Sequence, residues 1–290
     1  MSVAVQATLI FGFGRMGLRM EIGVYNSLCN GGKCFDHVEQ FGLKVCQLGV
    51  WDYSQATPEA AEVVKAESAR TGVRVCAVWA GWTGPASWTF TEGPITLGLV
   101  PPAYRAMRVT ELKKGADFAA ACGAPAIITH AGYIPENLTD PAFAETVVAL
   151  RDVANHCKSL GIGFWFETGQ ETPIVLLRTI KHIGTDNLGI NLDPANLILY
   201  GKGNPIDSLD VIGEYVTNVH VKDGLYPTDP QELGEEVRPG LGAVRFPEFI
   251  KRLKEIGFDG DLIIEREISG PQQSEDIRKT VDDLKVWLAA

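Results

Sequence analysis

The sequence predicts an α/β protein, a single-domain (β/α)8 TIM barrel over residues 20–290 with a short N-terminal extension over residues 1–19. Three observations predict it. Eight short apolar runs alternate with amphipathic segments, the pattern of strands alternating with crossover helices. No Ser/Pro/Gly-rich linker or low-complexity stretch divides the chain. Its 290 residues suit one such barrel, which typically needs roughly 250.

The eight runs are MEIGVYN, LKVCQLGVW, VRVCAVWAG, PAIITHAG, IGFWFETG, LGINLDP, VTNVHVKDG and DLIIERE. Several carry β-branched and aromatic residues, which favour strands. Asp140 and Pro141 predict a helix start, because Asp caps the first amides and Pro fits the first turn. Phe143, Val147, Leu150, Val153, Cys157 and Leu160 then recur at helical spacing, and Gly161 ends the segment. The last helix is expected from Ser274, with Ile277, Val281, Leu284 and Leu288 on one face. Gly42, Gly72, Gly123, Gly161 and Gly260 precede or open most runs and read as helix C-caps.

The extension contains Gly12, Gly14 and Gly17 in LIFGFGRMGLRM, a G-x-G-x-x-G spacing. A dinucleotide site needs a helix directly behind that motif and an acidic residue ending a second strand about 20 residues on. Here the first barrel strand and a glycine-rich loop follow, and Asp36 and Glu39 fall in a helix-like segment. The expectation is therefore no nucleotide cofactor, with the extension forming a short strand or hairpin that closes the barrel bottom.

The net charge of −10 and pI of about 5.0 disfavour a nucleic-acid partner. No run of about 18 uncharged apolar residues predicts a membrane span, and the N-terminus lacks the basic start of a signal peptide. Cys29, Cys34, Cys46, Cys76, Cys122 and Cys157 form no C-x-x-C pair. They read as buried free thiols of a cytoplasmic protein.

Polar residues close the last four runs: Glu167, Asp193, His220 and Glu265. In a barrel the C-terminal ends of the strands meet at the active-site face, so three carboxylates and an imidazole should converge. Clustered carboxylates repel unless a cation offsets them. The oxygen-rich donor set suits one divalent ion, Mn²⁺, Mg²⁺ or Co²⁺, better than a structural zinc.

The segments WFETGQET, NLDPANL, VHVKDG, RPGLG and LIIEREISG, with the frame from Met20 onward, resemble the xylose-isomerase-like TIM barrels. This is the sugar phosphate isomerase/epimerase superfamily, and the similarity is nearest to ketose 3-epimerases and inosose isomerases and dehydratases. The resemblance implies that Glu167, Asp193, His220 and Glu265 bind one metal ion, and that Glu167 and Glu265 double as catalytic acid/base groups. It implies a metal-dependent isomerase or epimerase acting on a ketose or cyclic keto-polyol by proton abstraction next to a carbonyl, through an enediolate. Two alternatives stay open: a lyase of the inosose-dehydratase or 3-keto-glycoside deglycosidase kind, and a non-catalytic sugar-binding barrel. An endonuclease-IV-like nuclease needs a multi-metal site richer in His than this chain's five histidines allow. Relatives often form dimers or tetramers, so a homo-oligomer is compatible with the resemblance.

Two departures stand out. Many relatives have His three residues after the strand-six Asp; here it is Asn196, which either meets a substrate hydroxyl or caps the following turn. The family Arg near the strand-seven His is matched by Arg238, displaced by the inserted LYPTDPQELGEEV. Arg238 either clamps substrate or pairs with Glu235 or Glu236. His130 and Lys222 complete the candidate substrate contacts, Lys222 because residues two apart share a strand face. Glu171 and Glu267 are candidate supports for Arg238 or a ligand, and Trp51, Trp79, Trp82 and Trp88 either face a sugar ring or pack the core.

Overall fold

The computed structural model describes residues 20–28 and 33–290. The glycine motif at Gly12, Gly14 and Gly17, the remainder of residues 1–19 and Cys29 lie outside them. Eight parallel strands close a barrel: β1 (Ile22–Ser27), β2 (Val45–Val50), β3 (Arg74–Ala80), β4 (Ala126–Thr129), β5 (Gly163–Glu167), β6 (Leu188–Leu192), β7 (Val216–Val221) and β10 (Asp261–Ile264). β1 pairs with β2 on one side and β10 on the other, so no barrel edge is left open. Seven of these strands lie within a predicted run, and β1 overruns MEIGVYN by one residue, Ser27.

Helices wrap the outside: α1 (Asp36–Glu39), α2 (Pro58–Thr71), α3 (Gly93–Thr96), α4 (Pro102–Cys122), α5 (Pro141–Ser159), α6 (Pro173–Ile183), α7 (Pro194–Leu199), α8 (Pro205–Ile212), α9 (Phe246–Glu255) and α10 (Pro271–Ala289). Asp140 caps α5 by accepting from the Ala142 amide, and Pro141 takes its first turn. Phe143, Val147, Leu150, Val153 and Cys157 bury the predicted stripe, whereas Leu160 lies past the helix and is 36% exposed. Gly42, Gly72, Gly123 and Gly161 adopt the left-handed conformation expected of C-cap glycines.

Two expectations at the C-terminal end need correction. The cap glycine after α9 is Gly257, at φ 78°, rather than Gly260. Gly260 instead lies so close to β7 that a Cβ would meet the Thr217 carbonyl at 2.2 Å. The last helix starts at Pro271, three residues before Ser274, because the amide N–H groups of a first turn have no intrahelical acceptor and Pro, lacking an N–H, loses nothing there.

The period-two alternation of strands divides the residues between two cores. Outward side chains such as Phe164, Phe166 and Ile190 pack with Leu150, Val153 and Leu176 of the helices. Inside, Ala77, Trp79 and Ile128 cluster with Tyr25 and Trp165. Gly49 is required there, since a Cβ would sit 1.8 Å from the Tyr25 hydroxyl oxygen.

The insertion after β7 is a short antiparallel hairpin, β8 (Asp223–Gly224) with β9 (Glu236–Val237). Its anchor is the buried Asp223 carboxylate. Oδ1 accepts from the Gly224 and Val244 amides at 2.9 and 3.0 Å, and Oδ2 from the Gly240 and Gly242 amides at 3.0 Å each. Gly242 permits the approach, because a Cβ would meet Oδ1 at 2.2 Å. Asp223→Asn points an NH2 group at two of these donors, and should cost about 2–3 kcal/mol of stability. A shift in the urea midpoint measures it; an unchanged midpoint would show that the clamp contributes nothing net.

Candidate active site

The predicted convergence is present. Glu167 ends β5, Asp193 follows β6 as the N-cap of α7, His220 lies in β7, and Glu265 directly follows β10. Each offers one ligand atom, and those atoms all lie within 4.8 Å of one another. His220 Nδ1 stands 3.2 Å from Glu265 Oε2, 3.3 Å from Glu167 Oε1 and 3.6 Å from Asp193 Oδ2.

The His220 tautomer is set by a residue the sequence reading overlooked. Gln47, fully buried on β2, places Oε1 2.9 Å from His220 Nε2. An amide oxygen only accepts, so Nε2 carries the hydrogen and Nδ1 turns toward the carboxylates. The signal available in advance was a Gln inside the apolar run LKVCQLGVW.

His220 Nδ1 and Asp193 Oδ2 are buried, yet neither makes a hydrogen bond. The four ligand atoms, all within 4.8 Å of one another, could hold a metal ion. Nitrogen and carboxylate donors fit a divalent ion such as Mn²⁺, Mg²⁺ or Co²⁺. Asp193 divides its work: Oδ1 caps α7 through the Asn196 amide at 2.9 Å, leaving Oδ2 for the centre.

The charges are strongly coupled. Burial pushes the His220 pKa down, but the negative charges of Glu265 and Glu167 and the carboxylate contacts outweigh it, holding it well above 6.5. Burial pushes Glu167 and Glu265 up, but His220 in both cases, with His130 beside Glu167 and Lys222 beside Glu265, brings both below the usual value. Without a metal ion, a raised imidazole pKa offsets part of the carboxylates' negative charge.

Around this centre, Asn196 lines the cavity, and the cap of α7 is Asp193 rather than Asn196. The Asn196 amide donates to that cap, and its side-chain NH2 donates to Glu167 Oε1 at 3.3 Å and to the Thr168 carbonyl at 3.2 Å. The Trp79 indole N–H donates to Glu167 Oε2. His130 Nε2 lies 3.4 Å from Glu167 Oε1. Lys222 shares the inward face with His220 and reaches Glu265 and Glu267.

Arg238 is not where the matched motif suggested. Its guanidinium pairs with Asp283 on α10, and it does not line the cavity above the centre. The hairpin displaces it outward, and its partner is neither Glu235 nor Glu236. The cavity arginine is Arg266, bound to Glu236 at 2.7 Å and Asp276 at 2.9 Å. Glu267 supports Lys222 rather than Arg238. Glu171 is buried, and burial first of all lifts its pKa to about 7.

The cavity measures about 770 Å³, and both Glu167 and Glu265 line it. Trp51, Trp79 and Trp88 form part of its wall, with Trp82 buried behind them. Ring centroids are 4.6 Å apart for Trp51 and Trp79 and 5.2 Å for Trp88 and His130.

Comparison with known proteins supports the barrel fold and shows the family. A crystal structure of a xylose isomerase domain protein from Planctomyces limnophilus superposes with a TM-score of 0.86 at 33% identity, covering 93% of this chain and 96% of that one. A D-tagatose 3-epimerase-like protein gives a TM-score of 0.73 at 22% identity, covering 93% and 97%. An uncharacterized protein of Methanocaldococcus jannaschii is 30% identical over 167 residues, 53% of this chain and 55% of that protein, so the match spans about half the length of that curated relative. The model of the xylose isomerase-like TIM barrel family matches residues 35–289. Matched from its first helix to its last, the chain belongs to the xylose isomerase-like TIM barrel family.

Proposed function

We propose that this protein is a divalent-metal-dependent sugar isomerase or epimerase, acting on a ketose or cyclic keto-polyol by proton abstraction next to the carbonyl. The observation that carries the reading is the pair of cavity-lining carboxylates, Glu167 and Glu265, on either flank of the His220 and Asp193 donors. A bound ion held by Glu167, Asp193, His220 and Glu265 supplies Lewis-acid polarisation of the substrate oxygens. One carboxylate takes the proton from the carbon beside the carbonyl, leaving an enediolate. The other returns a proton to the opposite face and gives the epimer; return to the adjacent carbon gives the isomer.

The neighbours keep these groups in place. Trp79 and Asn196 orient the two Glu167 oxygens, and Lys222 bonds Glu265 Oε2 at 3.3 Å. His130 Nε2 stands beside Glu167 Oε1, and that carboxylate outweighs the effect of burial and raises the imidazole pKa. The tryptophan wall suits the apolar face of a sugar ring.

The substrate is uncharged in this reading. Of the cationic side chains that line the cavity, Lys222 and Arg266 are already bound to carboxylates and Lys33 is exposed to solvent. A phosphate ester would meet a site rich in acidic groups, and should bind about tenfold more weakly than the free sugar. Titrating matched pairs such as fructose and fructose 6-phosphate by calorimetry measures this, and tighter binding of the ester would refute it. No helix among the described residues is long and apolar enough to cross a membrane. The buried free cysteines Cys46, Cys76, Cys122 and Cys157 suit a reducing cytoplasm.

The reaction is tested with ketoses, inososes and 3-keto-glycosides in D₂O, with Mn²⁺, Mg²⁺ and Co²⁺, following products by NMR. Deuterium entering the carbon beside the carbonyl supports the proposal. Asn196, in place of the family His, and the inserted hairpin favour a lyase as the second reading. Release of water or an aglycone would establish it. Saturable sugar binding with no exchange under any metal would point to a binding protein.

A further inference from the structure

The inserted hairpin reaches the metal-ligand carboxylates through a chain of short contacts. Asp223 clamps its base with four backbone amides. Glu236, on β9, uses one oxygen, Oε1, to accept from Arg266 Nη1 at 2.7 Å and from the Glu267 amide at 3.1 Å. The Arg266 Nε in turn donates to Asp276 Oδ2 at 2.9 Å. The segment after β10 is thereby held from both sides. It carries Glu267, whose Oε2 lies 2.8 Å from Lys222 Nζ.

Lys222 is only 2% exposed in its side chain, and its ammonium has two further neighbours. These are Glu265 Oε2 at 3.3 Å and Asp193 Oδ2 at 3.6 Å, both oxygens of the candidate ligand set. An ammonium resting on those oxygens competes with a divalent ion for the same negative charge. Its shortest contact, however, is to Glu267, which stands outside the candidate ligand set.

We propose that Glu236 and Glu267 are positioning residues that tether the Lys222 ammonium away from Asp193 and Glu265, so that the hairpin sets how tightly the site takes a divalent cation. The inference rests on the metal-centre reading above. With Glu267 neutralised or released, Lys222 settles fully on the ligand oxygens and occludes them. Outer-sphere partners of this kind typically change metal affinity by about 10- to 100-fold.

The test is Mn²⁺ titration of chelator-treated protein by calorimetry, which needs no substrate. Glu267→Gln and Glu236→Ala should each weaken Mn²⁺ binding about tenfold. The Glu267 side chain is 58% exposed, so its Gln variant keeps the fold and carries the test even where Glu236→Ala unfolds. The decisive comparison uses a Lys222→Met background, in which Glu267→Gln should change Mn²⁺ affinity by less than about twofold. The same tenfold loss in that background would mean that Glu267 acts only through its general charge, which overturns the tether. Parental affinity in both single variants also overturns it, while leaving the metal centre intact. A parent protein that binds no divalent ion overturns both.

Discussion

Glu265→Gln should lower turnover by about 10²- to 10⁴-fold while the protein stays folded, and Glu167→Gln should do the same. Both side chains line the cavity, and both are held by neighbours that remain after the change: Lys222 for Glu265, and Trp79 and Asn196 for Glu167. Gln preserves size and an acceptor oxygen but cannot take a proton. Each carboxylate also belongs to the candidate ligand set, so loss of the ion and loss of the base must be separated. Turnover is therefore measured at saturating Mn²⁺, with bound metal counted directly. A variant with full metal occupancy and no solvent deuterium exchange has lost the proton-transfer group. Retained exchange at full occupancy would remove that residue from the catalytic pair.

His220→Ala should abolish the stabilisation that a divalent ion gives the parent. A ligand at 100 times its Kd stabilises the native state by about 2.7 kcal/mol, so Mn²⁺ should raise the parental melting temperature and leave the variant's unchanged. An equal rise in both would place the ion elsewhere. The same imidazole sets the direction of the pH dependence. Its folded pKa is raised because nearby carboxylates outweigh burial. In metal-free protein the stability it contributes is fully present below about pH 6.5 and is lost as pH rises through the higher folded value. Glu167 and Glu265 are depressed, so their share is present above about pH 4.3 and is lost as pH falls through their folded values. These describe one ion-paired cluster seen from its two sides. Metal requires the Nδ1 lone pair, so Mn²⁺ affinity should fall as the solution is acidified and binding should release a proton. Calorimetry in buffers of different ionisation enthalpy reads that proton directly.

Local chemistry made the frame legible. The eight runs, the Asp140–Pro141 helix start and four of the five C-cap glycines depend on short-range patterns. The four donors were legible for the same reason: each ends or follows an apolar run, and a barrel sends all such ends to one face. Lys222 followed from its two-residue offset from His220. Arg238 did not follow, because a motif match assumes that the loop before it runs the same path. Here the Asp223 clamp and the hairpin turn that segment toward Asp283. Alternation with Glu265 predicts an outward Arg266; it reaches the cavity wall because the strand has already ended at Ile264 and Glu236 and Asp276 hold its guanidinium.

By itself, then, the sequence determined which residue types stand at the strand ends, since periodicity and capping act within a few residues of the chain. Tertiary structure alone decided which of them touch. The bond between His220 and Gln47 joins positions 173 residues apart, and that between Trp79 and Glu167 joins positions 88 apart. Such pairings arise from barrel closure and side-chain packing, which bring distant strands to one axis and have no local signature in either segment.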